Sequence, residues 1–427
     1  MTNTLNIRPG DLSAHGDAIH YLAGEYDKPV SAARQAAEAA TTDAFELSPI
    51  ARSALTLVLQ GAPKATADAV SLTQLGVRRY AIAAKAVSKG LSAEDENASA
   101  VIAGSLAHSV LPFGTSGSLS AERTGAQLGL DSKVPTDLTV EVDYGHLLSQ
   151  DDAKRIGPDW MDKVIDLLPG DYMPGVRKNG SWLNGSGIVE TIATALGTAQ
   201  DPSVVGLLTD MGDVASDIKG AFDSPVNTVL TAAIGWIYEH IEPLPSQLDM
   251  VAGSGMVWEA HAKTWKNIGW SVWTLGEQVE TRLTTDLRGQ QSEAVQAYFR
   301  SFGSGRQAIA RLGENCNQMA GVMSDCALLT DALRDFVRGV LTQVIADIIQ
   351  YFLRIKGFMK FPGVGGNEDA MVRSYARQLA GNYGMLIEKF IRRAVVVYKQ
   401  LAGKLETVRA ETQEITRLWQ QASPQLA

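Results

Sequence analysis

Residues 258–279 read WEAHAKTWKNIGWSVWTLGEQV, and in them Trp258, His261, Trp265, Ile268, Val272, Leu275 and Val279 recur at alternating steps of three and four. A second run follows: Val295, Tyr298, Phe302, Gly305, Ile309, Leu312, Cys316, Met319, Met323, Cys326, Thr330, Leu333, Val337, Val340 and Val344. A repeat averaging 3.5 residues keeps an apolar seam on one side of a helix, which is the requirement for coiled-coil-like packing. Between the runs lies Thr284-Thr285-Asp286-Leu287-Arg288-Gly289, a short polar turn with a glycine. Two long helices joined in this way form an antiparallel αα-hairpin. The fold class expected from this core is mainly α: long antiparallel helical hairpins packed as an elongated bundle, with an irregular middle segment carrying at most a short strand.

Working outward, residues Leu12 to about Ala40 and Ser48 to about Ser88 are Ala-rich and helical in pattern. Ser48-Pro49 places a capping hydroxyl ahead of a proline suited to a first helical position. Pro63, within Gly61-Ala62-Pro63, should kink the second of these helices. The middle of the chain is broken by recurrent Pro and Gly. Within it Leu138-Thr139-Val140-Glu141-Val142-Asp143-Tyr144 alternates at the period of a half-buried strand. Short helices are expected at 158–168, 188–196, 204–222 and 225–240. After Phe361-Pro362-Gly363-Val364-Gly365-Gly366, Asn367 should cap a last helix whose first turn carries Glu368 and Asp369. The resulting division is an N-terminal helical hairpin over 1–110, an irregular mostly helical segment over 111–247, the long hairpin over 248–358, and a C-terminal helix over 359–427.

The formal net charge of −9 argues against nucleic-acid binding, which needs a concentrated basic surface to displace phosphate counterions. The N-terminus has no basic stretch leading into an apolar run, so no classical signal peptide is expected. The run from Phe336 to Phe358 is interrupted by Arg338, Asp347 and Arg354, and the uncharged run from Ser224 to Tyr238 falls short of the roughly 20 residues that cross a bilayer. Cys316 and Cys326 lie ten residues apart in one helix, about 15 Å along its axis. That is too far for a disulfide, so both are read as buried free thiols on the seam.

None of the six histidines pairs with another at helical ligand spacing or neighbours a cysteine. No P-loop, nucleophile elbow or dinucleotide fingerprint occurs. The carboxylates Asp151, Asp152, Asp159, Asp162 and Asp166 read as surface charge, and His261 as a packing residue. No cofactor and no metal is expected, and the chain is not read as an enzyme. Trp258 and Trp265 share the seam and are read as hairpin core. Trp270 and Trp273 fall beside it, and an off-seam tryptophan pair suits a partner helix or an interfacial contact.

The stretch from Asp249 to about Ile349 resembles the Trp-X-Gly family of helical hairpins exported by type VII secretion systems. More closely, it resembles the long version found at the N-terminus of actinobacterial polymorphic toxins and of the tuberculosis necrotizing toxin's channel-forming domain. The opening is Val251-Ala252-Gly253-Ser254-Gly255, the helix tryptophan is Trp265, the turn is Leu287-Arg288-Gly289, and the second helix begins Ser292-Glu293-Ala294-Val295-Gln296-Ala297-Tyr298-Phe299. Leucine stands at 287 where the family has tryptophan. An apolar wedge and a glycine that lets the backbone turn are nevertheless both present. Residues 1 to about 105 are similar to a small helical family secreted with the same systems, through Leu5-Asn6-Ile7-Arg8-Pro9-Gly10-Asp11-Leu12 and Val77-Arg78-Arg79-Tyr80 leading into Glu94-Asp95-Glu96.

The resemblance implies a non-catalytic type VII secretion-associated protein, a helical bundle that docks small Trp-X-Gly proteins and the secretion machinery. It would be secreted or displayed at the cell surface without a signal peptide, after a cytoplasmic stage. The export pattern Tyr-X-X-X-Asp/Glu occurs at Tyr21…Glu25 and Tyr238…Glu242, neither just after the hairpin, so a small partner is expected to supply the signal. The chain is read as a stand-alone delivery or scaffold protein, or as the N-terminal part of a longer polypeptide. Two alternatives remain. One is a pore-forming channel domain inserting in the outer membrane or a target membrane through 336–358 and 371–408, with Arg392, Arg393 and Lys399 meeting an anionic surface. The other is an enzyme with an unrecognised site in 131–248, around His146, Asp159 and Asp162.

Overall fold

The computed structural model describes residues 9–40, 48–92, 134–142, 147–149, 172–177, 186–219, 251, 253, 255–288, 293–358 and 368–422. Among these the chain is mainly α. In order it forms α1 (Pro9–Glu25), α2 (Asp27–Ala39), α3 (Pro49–Ser92), β1 (Leu147–Ser149), β2 (Tyr172–Arg177), α4 (Ser186–Thr198), α5 (Pro202–Lys219), α6 (Gly255–Asp286), α7 (Glu293–Phe358) and α8 (Glu368–Ala422). The 66 residues of α7 span about 100 Å, so this one helix is the axis of the bundle.

Helices α6 and α7 make the predicted antiparallel hairpin. Trp258, Trp265, Ile268, Val272, Leu275 and Val279 from α6 are fully buried, as are Leu312, Cys316, Met319, Met323, Cys326 and Val337 from α7. Two glycines of α6 permit the close approach. A Cβ added to Gly269 would lie 3.0 Å from the Cys316 Cβ and 3.0 Å from the Gly313 carbonyl oxygen; one added to Gly276 would lie 2.4 Å from the Ile309 Cγ2. At the open end, the Gly255 N–H donates to the Asp331 carboxylate at 3.2 Å, and Arg334 donates to the Gly253 carbonyl at 2.7 Å. Asp331 of α7 thus takes up a backbone N–H at the start of α6, where helix geometry leaves such groups without an intrahelical acceptor.

The same helix α7 continues past α6 and packs antiparallel on α8. Asn315 Nδ2 donates to the Val408 carbonyl at 2.8 Å, the Thr330 and Tyr398 hydroxyls meet at 2.8 Å, and Phe336 and Phe390 have ring centroids 4.6 Å apart. Further along, Tyr383 donates to Asp347 at 3.2 Å and Tyr351 stacks on Tyr375 at 3.9 Å. Helix α3 lies antiparallel to α7 and parallel to α8. The Tyr80 hydroxyl donates to the Ser301 carbonyl at 2.8 Å and lies 3.1 Å from the Ala422 carbonyl, and the Trp419 indole donates to Thr73 at 3.0 Å. Helices from the N-terminal, central and C-terminal stretches therefore share one apolar core.

Local details follow the sequence with two differences. Ser48 Oγ accepts the Ala51 N–H at 3.3 Å, the expected cap before Pro49, and α3 runs on through Pro63 to Ser92. The first difference is that residues 9–39 form two helices, not one, parted at Tyr26. The Tyr26 ring is completely buried and its hydroxyl reaches the Val272 carbonyl of α6 at 3.3 Å, so the break aims a large side chain into the bundle. The second is that residues 138–142 are irregular backbone and not a strand. Two of their backbone groups bond to side chains of α6: the Val140 N–H donates to Thr264 at 2.9 Å and the Leu138 carbonyl accepts from Asn267 at 3.2 Å. The alternating pattern is used to bury Leu138 against α6. The β ladder lies elsewhere, β1 pairing antiparallel with β2.

Helices α4 and α5 match the expected stretches 188–196 and 204–222 and form a short hairpin against the middle of α7. Asp325 on α7 accepts the Gln200 and Asp201 N–H groups at 2.9 and 3.1 Å, while Asp201 caps α5 through Ser203 and pairs with Lys404 of α8 at 2.6 Å. Residues 158–168, 225–240 and Asn367, for which helices and a cap are expected, lie outside the described residues.

Candidate partner-docking surface

The four tryptophans of α6 divide by helical position. Trp258 and Trp265 sit on the seam and are 0% exposed, whereas Trp270 and Trp273 are 46% and 50% exposed. The division follows from the spacing. The seam takes 258, 265, 268, 272 and 275, so a residue two places beyond 268 is turned away from α7, whereas Trp273 flanks the seam with its Cβ beside Gly313 of α7. Trp270 and Trp273 are one turn apart and form a contiguous aromatic strip on the outside of the bundle. It is flanked by Lys263 and Lys266 on one side and Glu277 on the other, all exposed. Two large aromatic side chains thus lie half exposed among charged residues.

The hairpin end is built differently. Leu287 is 2% exposed and serves as the apolar wedge, and the Arg288 N–H returns to the Thr285 carbonyl at 3.4 Å. Gly289 lies outside the described residues. Beside the wedge sits a polar network invisible to motif reasoning. His15 of α1 is completely buried; its Nδ1 is 3.1 Å from the Asp286 carboxylate and its Nε2 is 3.2 Å from the Tyr298 hydroxyl. Tyr298 donates onward to the Tyr80 carbonyl at 3.4 Å, and Arg282 lies 3.5 Å from the other Asp286 oxygen. Burial opposes ionisation of Asp286, but the His15 hydrogen bond and the nearby charges of His15 and Arg282 outweigh it and hold the carboxyl below its ordinary range. A histidine between a carboxylate and a phenol is a constellation capable of proton transfer. Here the imidazole is sealed from solvent and its ring edge packs on Tyr298, so the arrangement clamps α1, α3 and α7 to the end of α6. One sequence feature marks it: His15 occupies the apolar stripe Leu12, Ile19, Leu22 of α1.

The remaining candidates sort plainly. His261 is half-buried on the seam, and burial pushes its pKa down to about 4, keeping the ring neutral. Cys316 and Cys326 are free and fully buried. Burial pushes the Cys316 thiol up to about 12; burial together with the charges of Asp325 and Asp201 pushes Cys326 well above its ordinary range. Such thiols stay protonated and poorly nucleophilic. Among the described residues no group of three or more His, Cys, Asp or Glu gathers as a metal site, and no helix is long and apolar enough to cross a membrane. His146, Asp151, Asp152, Asp159, Asp162 and Asp166 lie outside the described residues.

No protein family, curated protein or solved structure matches this chain. The described geometry defines its class: a mainly α protein organised by a long helical hairpin, with an outward tryptophan pair as its most distinctive surface feature.

Proposed function

We propose that the chain is a non-catalytic, type VII secretion-associated protein whose helical bundle docks a helical partner and is exported or delivered with it. One observation supports this reading above the rest: Trp270 and Trp273 stand half exposed, side by side, on a helix whose other two tryptophans are completely buried. Exposing two indoles to water is unfavourable by the apolar area concerned, and a docked helix removes that area from water. The architecture is consistent with a rigid presenter. The hairpin is held by the Gly269 and Gly276 approach, capped at one end through Asp331, and clamped at the other through His15 and Asp286. The partner class is a small Trp-X-Gly hairpin, as the sequence resemblance implies, with the secretion machinery as the receiving assembly.

Co-expression with small Trp-X-Gly proteins, followed by affinity capture and size-exclusion chromatography, tests the reading. A stoichiometric complex that is lost in Trp270→Ser/Trp273→Ser is expected. Absence of any complex, or a complex indifferent to that double substitution, overturns the docking role of the face.

A further inference from the structure

The outward line of α6 has a symmetry that one chain by itself does not use. Lys263, Lys266, Trp270, Trp273, Glu277 and Glu280 follow one another at steps of three and four, so they form a heptad-spaced row. Both lysines precede the tryptophans and both glutamates follow them. The centre of the row falls between Ser271 and Val272. Reversed about that point, Trp270 exchanges with Trp273, Lys266 with Glu277, and Lys263 with Glu280. A second α6 laid antiparallel on the first about a two-fold axis therefore sets indole against indole and ammonium against carboxylate in every layer. A parallel copy would set like charge against like charge instead, which is unfavourable.

We infer that the tryptophan face of α6 is an isologous interface, occupied by α6 of a second copy of this chain in antiparallel register. The inference rests on the reading of this face as a docking surface and names its occupant when no other helical partner is present. A two-fold contact demands a surface complementary to itself, and this row meets that demand in sign and spacing. The inner layer is available for it: Lys266 and Glu277 are exposed and have no ion-pair partner among the described residues. The outer layer is already engaged, Lys263 with Glu259 at 2.9 Å and Glu280 with Arg306 at 2.9 Å, so those pairs would be exchanged or shared. The row is about 27 Å long. A contact of that length centred on four indoles is small beside the roughly 800 Å² per partner of a standard interface, so the dimer is reversible and concentration-dependent.

The test uses the full chain in sedimentation velocity at chain concentrations from about 1 to 100 μM. The wild type is expected to shift from monomer to dimer across the range. Lys266→Glu and Glu277→Lys should each remain monomeric alone, because antiparallel pairing then opposes like charges. Mixed one to one they should form a heterodimer, since each glutamate of the first variant then meets a lysine of the second. Recovery on mixing also proves both variants folded. A wild type monomeric throughout, while Trp270 and Trp273 still govern capture of a small helical protein, overturns the homodimer and leaves the docking reading standing. A dimer that persists in both single variants overturns the antiparallel register.

Discussion

His15 Nδ1 lies 3.1 Å from an oxygen of Asp286, although 271 positions separate the two residues in the chain. This contact joins the first helix to the last turn of α6, next to the buried wedge Leu287, and makes closure of the hairpin depend on the N-terminal helix. Replacing His15 by Ala leaves the partly buried Asp286 carboxylate and the Tyr298 hydroxyl without their shared partner. A loss of about 2–4 kcal/mol in urea unfolding is expected, set by the cost of unsatisfied buried polar groups.

The same pair has an acid limb. The Asp286 carboxyl is held below its ordinary 3.8 by the His15 hydrogen bond and the charges around it, which outweigh burial. A carboxylate depressed in the folded state contributes stability that is present above the unfolded value and lost as pH falls through the folded one. Asp286→Asn should flatten the part of the stability profile below about pH 4 and lower stability at neutral pH. An unchanged acid limb would show that Asp286 carries no linkage.

His261 governs a different window. Burial depresses its pKa to about 4, so between about 4 and its ordinary 6.5 the unfolded chain binds a proton that the folded chain does not. Stability is then full above 6.5 and declines as pH falls toward 4. His261→Gln should reduce the difference in unfolding midpoint between pH 7 and pH 5, measured in urea at both values.

Gly269 and Gly276 offer a test of close packing. Gly269→Ala pushes a methyl against Cys316 and the Gly313 carbonyl, backbone that cannot move aside. A net loss of about 1–3 kcal/mol is expected, despite the better helix propensity of alanine. Gly276→Ala meets only the Ile309 side chain, so Ile309→Ala should relieve it. A double-mutant cycle on 276 and 309 is expected to show favourable coupling.

The two tryptophan pairs should separate stability from binding. Trp265→Ala empties a completely buried site and is expected to cost about 3–5 kcal/mol. Trp270→Ser/Trp273→Ser alters a half-exposed face and should cost roughly 1–3 kcal/mol for both together, less than the single Trp265→Ala, while abolishing association. Calorimetry beside sedimentation distinguishes the two effects. A large stability loss in the second variant would show that the pair is structural.

Much of the scaffold was legible in the order of residues. The run from Trp258 to Val279 and that from Val295 to Val344 state their helical period and their buried side, and the described members are buried or half-buried there. Ser48 and Pro49 announce a helix start, and Ser48 supplies the cap. These features are local: period, capping and turn chemistry are decided within a few residues by backbone geometry and side-chain type. The alternation at 138–142 was equally legible but ambiguous, because period two says only that one side is buried. Whether a sheet or a helix buries it depends on what lies opposite, and here Thr264 and Asn267 of α6 supply its hydrogen bonds.

By itself, then, the sequence determined that the chain is mainly α, where its long seams run and which tryptophans belong to them, since each follows from periodicity along one helix. Tertiary structure alone decided that His15 meets Asp286 and Tyr298, that Asp325 and Asp331 receive the backbone of other elements, and that Trp270 and Trp273 stay half exposed. The physical reason is that a helix's apolar stripe specifies that it must be covered but not by which neighbour. That choice is settled by packing among segments hundreds of residues apart, where close-approach glycines and buried polar partners discriminate between arrangements that hydrophobicity alone leaves equal.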